Sequence, residues 1–209
     1  MRQGKTDGGR RGIRIFLGLA AGAAAVAVLI TAGLHLLGEY QERQKRRAYP
    51  YPEEYAALIE KNAQDYGIPP EIICAVIRTE SSFRADAVSP AGAVGLMQLM
   101  PSTFTWLQTK TGEQCEENAL TDPAVNVKYG CFLLKMLYDE FGNWKTVWAA
   151  YNAGMNRVRT WLTDASYADE NGLHTIPIQE TENYVARVER AAAVYRELYF
   201  TPQNGETPN

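Results

Sequence analysis

One carboxylate occupies a position at which the helical pattern of apolar residues predicts another apolar side chain. In the run "AVIRTESSF", residues 75–83, Glu80 completes a helical stripe at the spacing i, i+3, i+4 and i+7 whose other members are Ile73, Val76 and Ile77. Desolvation on such a face raises the pKa of a carboxyl group, so that the group stays protonated near neutral pH. That is the requirement for a general acid. The alternative is that Glu80 ends its helix in solvent or pairs with a cation such as Arg84.

A second stretch, "SPAGAVGLMQLMP" at residues 89–101, has the composition of a ligand-binding wall. It combines glycine and proline with methionine and one amide, Gln98. Small residues let a backbone approach a ligand closely, and methionine supplies an adaptable apolar surface. The stretch therefore predicts one side of a groove. Its alternative is a tight connection over a buried methionine cluster.

Four motifs in order resemble those of the soluble lytic transglycosylase family, over about residues 53–199. They are "ESSF" at 80–83, "SPAGAVGLMQLMP" at 89–101, "AYNAG" at 150–154 and "ETENYV" at 180–185. The resemblance implies an all-α, lysozyme-like domain, similar in fold to goose-type lysozyme. It also implies cleavage of the β-1,4 bond between N-acetylmuramic acid and N-acetylglucosamine in peptidoglycan, with no cofactor and no metal.

The resemblance assigns Glu80 as the single catalytic residue. Glu80 would first protonate the glycosidic oxygen and then, as a base, take the proton of the muramyl C6 hydroxyl, which closes a 1,6-anhydro ring. This differs from the pair of carboxylates usual in glycoside hydrolysis, because the substrate supplies its own nucleophile. Tyr151 would orient Glu80 or stabilise the reacting centre. The other residues implied to bind substrate are Ser89, Gln98, Met100, Asn152, Glu180 and Tyr184.

Two other functions stay open at this point. A lysozyme-like hydrolase would use water in place of the C6 hydroxyl and would need a second carboxylate, for which Asp86 and Glu180 are candidates. A non-catalytic module would dock on the cell wall, as part of a wall or secretion machinery. An acid on the apolar face of a helix speaks against the docking module, because binding alone does not require it.

Helical periodicity accounts for nearly all of the segment that must position these residues, and no strand-like alternation persists. Asp122 as N-cap, Pro123 at the first helical position and Gly142 after the end mark the clearest helix. The other predicted helices cover residues 55–66, 70–83, 144–153 and 180–199.

An apolar segment precedes this domain. Residues 15–37 contain no Lys, Arg, Asp or Glu, and about 20 apolar residues suffice to cross a bilayer as a helix. They predict an uncleaved, single-pass anchor in a bacterial cell membrane, with the catalytic domain outside the cytoplasm; a cleaved signal peptide is the alternative. The predicted division of the chain is a basic segment 1–14, the anchor 15–37, a linker 38–52, the catalytic domain 53–200 and a tail 201–209.

Charge and residue counts exclude several other functions. Residues 48–209 hold 12 Lys and Arg against 21 Asp and Glu, which argues against a nucleic-acid partner. His35 and His174 are the only histidines, too few for a histidine-based metal cluster. The three cysteines form no CxxC pair, so a bridge between Cys115 and Cys131 and three free thiols both stay open.

Overall fold

The structure is a computed structural model that describes residues 7–201 of the 209-residue chain. It divides into two compact units, with the division between Ala48 and Tyr49. Residues 1–6 of the predicted basic segment and residues 202–209 of the predicted tail lie outside the described residues.

The first unit is one helix, α1, Asp7–Ala48. It contains the predicted anchor, although some side chains between residues 15 and 25 lie outside the described set. Searching the described residues, we find no helix whose length and apolar character would let it cross a membrane. Several apolar side chains of α1 are exposed, Leu29 at 71%. Residues 38–48, predicted as part of a linker, are helical and carry ion pairs such as Arg46–Glu42 at 2.7 Å.

The second unit is mostly helical, as the sequence predicts. Its helices are α2 Ala56–Tyr66, α3 Pro70–Glu80, α4 Pro101–Thr111, α5 Pro123–Phe141, α6 Trp144–Ala153, α7 Met155–Leu162 and α8 Gln179–Tyr195, which continues as a π-helical turn Arg196–Phe200. One antiparallel hairpin, β1 Ala168–Asp169 with β2 Gly172–Leu173, departs from the all-α prediction. Strands of two residues are too short to produce a visible alternation.

The predicted ends of α5 are confirmed, whereas the predicted C-terminal end of α3 is wrong. The side chain of Asp122 accepts hydrogen bonds from the first turn of α5, and Gly142 ends the helix with a φ of 64°. The prediction that the second helix runs to Phe83 is wrong, because α3 ends at Glu80. Ser82 and Phe83 have φ values of 54° and 62°, and the left-handed region cannot continue a right-handed helix.

The core of the second unit is built around α3. Residues 72–77 are all at most 2% exposed, and α3 packs along α8, which in turn packs on α6. Burying each branched apolar side chain stabilises the fold by roughly 1.5–3 kcal/mol. Helix α3 is thus fixed along its length, and so is the position of Glu80 at its end. The three cysteines have free thiols, with Cys74 and Cys131 buried, so the bridge left open by the sequence is not formed.

Candidate active site

Glu80 is hydrogen-bonded to a tyrosine that lies far from it in the sequence. The Tyr184 hydroxyl donates a hydrogen bond to Glu80 Oε1 at 2.7 Å, across 104 residues of sequence. Tyr184 is 3% exposed and lies in the second turn of α8. The contact is made where α3 packs on α8, so the helix core sets its geometry.

Burial decides the protonation of Glu80. Desolvation raises the pKa of its carboxyl group from 4.5 to about 7, while the hydrogen bond from Tyr184 and the charge of Arg187 act in the opposite direction. Desolvation is the largest of the three effects. The carboxyl group can therefore be protonated at neutral pH and can also give up its proton there. This agrees with the expectation drawn from its place on an apolar stripe.

Two neutral phenols lie near this carboxyl group. Burial raises the pKa of Tyr184 and of Tyr151 well above 10, and the charge of Glu80 raises both further. Both hydroxyls consequently stay protonated and act as donors. The Tyr151 hydroxyl, however, donates to the Met97 carbonyl at 2.8 Å. Of the two roles predicted for Tyr151, orienting Glu80 or stabilising the reacting centre, the first is not made through a hydrogen bond in this structure, where Tyr184 is the donor to Glu80.

The predicted groove wall is a compact loop held by its own polar groups. The Gln98 amide nitrogen donates to the carbonyls of Ala87 and Gly95 at 3.0 and 2.9 Å. Gln98 itself has a φ of 49°. Its Oε1 accepts no hydrogen bond from any residue in the described range 7–201, which leaves it available to a ligand. Ser89 Oγ accepts from the Ala93 backbone at 3.0 Å and so shapes the same loop.

The remaining predicted residues lie on nearby elements. Asn152 Oδ1, at the end of α6, accepts from Thr181 Oγ1 on α8 at 2.8 Å. Met100 is 38% exposed at the start of α4. Glu180 is exposed in the first turn of α8. Asp86, the other candidate second carboxylate, is exposed as well.

Asn126 on α5 is a residue that the sequence reasoning missed. Its side chain makes three hydrogen bonds: it accepts from the Met97 amide at 2.7 Å and donates to the carbonyls of Val94 and Leu120 at 2.9 and 2.8 Å. It is 1% exposed. The available signal was an amide on the buried stripe that continues with Gly130, Leu134 and Leu137. Asn126 thereby holds the Gln98 loop against α5.

Ser81 and Gly130 complete the support of this loop and were also missed. Ser81 is 2% exposed, and its hydroxyl donates to the Leu96 carbonyl at 2.8 Å, which ties the end of α3 to the loop. Gly130 allows close approach, because a Cβ there would lie 2.3 Å from Met97 Sδ. The end of α3, which carries Glu80, is thus tied directly to the loop of residues 89–101.

The described residues were also searched for side chains that could bind a metal ion together. Among the residues that the structure describes, no three His, Cys, Asp or Glu side chains lie close enough together to hold a metal ion.

The sequence matches a known family over more than half of the chain. Residues 57–173 match the Transglycosylase SLT domain. This chain belongs to the transglycosylase SLT family. A soluble lytic murein transglycosylase from Escherichia coli strain K12 is 37% identical over 155 residues, and the match covers 72% of this chain and 24% of that protein. A membrane-bound lytic murein transglycosylase C from Histophilus somni strain 2336 is 28% identical over 170 residues, covering 69% of this chain and 46% of that protein.

Solved structures share the fold of this SLT domain. The 70 kDa soluble lytic transglycosylase from Escherichia coli has a TM-score of 0.67 at 34% identity, with 76% of this chain and 26% of that chain covered. The lytic transglycosylase Slt from Pseudomonas aeruginosa has a TM-score of 0.65 at 37% identity, covering 74% and 25%. This chain therefore spans about a quarter of the length of its soluble relatives.

Proposed function

We propose that this SLT domain is a peptidoglycan lytic transglycosylase of the cell envelope. It cleaves the β-1,4 bond between N-acetylmuramic acid and N-acetylglucosamine and leaves 1,6-anhydromuramic acid ends. The observation that carries the proposal is the half-buried, desolvated Glu80 carboxyl, with a pKa raised to about 7 and a phenol donor, Tyr184. The names of the relatives support the same activity, and the Pseudomonas aeruginosa structure is of a variant described as inactive, with glutamine in place of one glutamate.

Glu80 acts twice in the proposed reaction. Protonated Glu80 gives its proton to the glycosidic oxygen as the bond from that oxygen to the muramyl C1 breaks. The carbonyl oxygen of the muramyl N-acetyl group bonds to C1 and stabilises the positive charge there. The Glu80 carboxylate then accepts the proton of the C6 hydroxyl, whose oxygen displaces the N-acetyl oxygen from C1. The ring closes and Glu80 is protonated again, ready for another turnover.

The environment of Glu80 suits a group that must both give and take a proton. Burial favours the acid needed in the first step, and the Tyr184 hydrogen bond stabilises the carboxylate that this step leaves behind. Asp86 and Glu180 are both exposed, whereas Glu80 is half-buried and its carboxyl group is desolvated. The nucleophile in the proposed reaction is a hydroxyl of the substrate, and no second carboxylate is required to activate water.

The residues around Glu80 are proposed to bind the glycan strand. Gln98 offers its free amide oxygen to a sugar hydroxyl or N-acetyl N–H, and Met100 offers an apolar face. Ser89, Asn152 and Glu180 lie on the loops and helix ends nearby. Tyr151 holds the Gln98 loop through the Met97 carbonyl, so its proposed role is to position this wall.

The products of digestion test the proposed activity. We expect the full chain to release soluble muropeptides from purified peptidoglycan, with masses one water lower than those of fragments with reducing ends. Fragments with reducing ends would instead identify a muramidase. A folded chain that binds the glycan and releases nothing would identify a docking module.

The rate should depend on pH through the Glu80 carboxyl group. The first step needs the protonated form, so kcat/KM should be level below a pH of about 7 and fall about tenfold per pH unit above it. Initial rates on solubilised glycan strands between pH 4 and 9 measure this. A decline that begins near pH 4.5, the ordinary pKa of glutamate, would show that the carboxyl group is not desolvated.

The Tyr184→Phe variant should be about tenfold slower in kcat. It removes the donor to Glu80 Oε1 and so weakens the stabilisation of the carboxylate formed in the first step, because hydrogen bonds to charged groups contribute about 1.5–3 kcal/mol. The alkaline fall of the rate should move to higher pH, since the donor lowers the pKa of Glu80. Tyr138→Phe, at a tyrosine 37% exposed, is the matched control. Equal pH profiles for all three proteins would contradict the role given to Tyr184.

Membrane anchoring by residues 15–37 is a separate part of the proposal. It rests on 23 successive residues without Lys, Arg, Asp or Glu, and on the exposed apolar side chains of α1, among them Leu29 and Leu34. We expect the full chain to sediment with membranes at its uncleaved mass and to resist extraction by high salt. A soluble protein shortened by this segment would show that the segment is a cleaved signal peptide.

A further inference from the structure

A pocket lined by arginines lies beside Glu80. It is a cavity of about 350 Å³ between α3 and α8, lined by Tyr49, Arg78, Thr79, Ser82, Arg187, Arg190 and Ala191. No Asp or Glu is among these residues. Residues 48–209 as a whole carry an excess of nine acidic side chains, so three guanidinium groups around one cavity reverse the sign of the charge locally.

Contacts within the domain place these guanidinium groups. The Arg78 Nη1 donates to Ser82 Oγ at 2.7 Å, and the guanidinium lies over the Tyr49 ring, 5.8 Å from its centroid. Arg187 lies 6.0 Å from the centroid of the Tyr184 ring. Arg187 and Arg190 are one turn apart on α8, and neither forms an ion pair with any carboxylate in the part of the chain that the structure describes.

The pocket adjoins the catalytic carboxylate. Arg78 and Thr79 directly precede Glu80 on α3, and the charge of Arg187 acts on the Glu80 carboxyl group. The same tyrosine, Tyr184, contacts both Glu80 and Arg187. Arg187 therefore belongs both to the pocket and to the electrostatic environment of Glu80, at the contact where α3 packs on α8.

We infer that Arg78, Arg187 and Arg190 form a binding pocket for a carboxylate of the peptide stem on the muramyl residue. This inference rests on the proposed function, because that reaction places a peptide-bearing sugar at Glu80. Three residues of extended peptide span about 10 Å, enough to reach from a sugar at Glu80 to a neighbouring pocket. Guanidinium groups match carboxylates in bidentate geometry, and charge-assisted hydrogen bonds of this kind are about twice as strong as neutral ones.

Binding of an isolated stem peptide tests the pocket without any turnover. The probes are a synthetic stem tetrapeptide with free carboxylates and the same peptide with every carboxylate amidated, titrated calorimetrically into the full chain. We expect the free peptide to bind at least tenfold more tightly than the amidated one. Arg190→Gln should reduce the affinity for the free peptide about tenfold. Arg190→Lys keeps the positive charge but loses the bidentate donor geometry of the guanidinium, so its affinity should lie between those of the unmodified chain and Arg190→Gln.

Matched controls keep the result specific. Arg157→Gln removes an exposed arginine of α7 and should bind the free peptide as the unmodified chain does. Circular dichroism checks that each variant is folded. Equal affinities for the two peptides, or an unchanged affinity in Arg190→Gln, would overturn the inference. Binding of a glycerol-phosphate oligomer in preference to the free peptide would overturn it too, because the ligand would then be a phosphate polymer.

Cleavage rates on two substrates distinguish an error in the proposed pocket from an error in the proposed activity. We expect Arg190→Gln to lower kcat/KM on peptide-bearing strands about tenfold relative to its value on strands stripped of their peptides by an amidase. Peptide binding by a chain that cleaves neither substrate would leave the pocket standing and refute the proposed activity. If every variant cleaved both substrates with equal kcat/KM, the proposed activity would stand and the pocket would be refuted.

Discussion

Replacing Glu80 with Gln should lower kcat by at least a thousandfold and leave the fold intact. Glutamine has nearly the same shape but can neither donate nor accept the proton that the reaction moves twice. General acid or base catalysis alone contributes about 10²–10⁴ in rate, and here one group supplies both. Turnover of glycan strands by the purified full chain measures the effect. Binding of the strands should persist, because the groove residues are untouched.

Asp86→Asn is the control that distinguishes the two enzymatic mechanisms. Asp86 is exposed and has no part in the proposed reaction, so its variant should stay within about threefold of the unmodified chain. A loss comparable to that of Glu80→Gln would mean that a second carboxylate activates water. Substantial turnover by Glu80→Gln would remove Glu80 from the chemistry altogether.

The Glu80→Gln variant also carries a check on its folding. The pKa of this carboxyl group is about 7 in the folded state and 4.5 ordinarily, so the folded chain holds a proton that the unfolded chain has released between these values. The unmodified chain therefore loses stability as the pH rises from about 4.5 to about 7. Glutamine does not titrate, so the variant should gain stability relative to the unmodified chain over that range, by on the order of 3 kcal/mol.

Asn126→Ala should produce the largest loss of stability. It would leave the Met97 amide and the carbonyls of Val94 and Leu120 without their buried partner. The Val94 carbonyl still accepts from the Leu99 amide at 3.0 Å, so the Met97 amide and the Leu120 carbonyl are the groups that lose their partner. An unsatisfied buried group costs about 1–3 kcal/mol, which gives a loss of about 2–6 kcal/mol for the two. Urea unfolding of the full chain measures the change. Activity should fall with it, because the loop that carries Gln98 loses its attachment to α5.

Two further variants make the Asn126 result specific. Asn126→Asp keeps an acceptor for the Met97 amide and loses both donors, so it should be destabilised nearly as much. Asn156→Ala removes an exposed side chain of α7 whose amide oxygen accepts from Arg159 at 2.8 Å, and should cost less than about 1 kcal/mol. If Asn126→Ala and Asn156→Ala lost equal stability, the hydrogen-bonding role of Asn126 would be wrong.

Features set by neighbouring residues could be predicted from the sequence. Asp122, Pro123 and Gly142 fix the ends of α5 by local capping, and the apolar stripe of α3 implied a desolvated Glu80. Both signals depend on spacing within a few turns of one helix. They need no knowledge of the rest of the fold.

Features set by distant contacts could not be predicted in the same way. The end of α3 depends on left-handed backbone conformations at Ser82 and Phe83. Serine and phenylalanine seldom adopt this conformation, so their residue types do not predict it. The donor to Glu80 comes from Tyr184, 104 residues away, whereas Tyr151 turns to the Met97 carbonyl. Motifs identified both tyrosines, but only the packing of α8 on α3 decides which one reaches the carboxylate.

The source of the oxygen atom that bonds to the muramyl C1 in the product tests the central claim most directly. Peptidoglycan digested by the full chain in ¹⁸O-labelled water, with analysis of the released muropeptides by mass spectrometry, reports which oxygen attacks C1. If Glu80 activates the C6 hydroxyl of the substrate, the new ends are 1,6-anhydro and contain no ¹⁸O. Reducing ends that each carry one ¹⁸O atom would show that water is the nucleophile and would contradict the two-step role of Glu80.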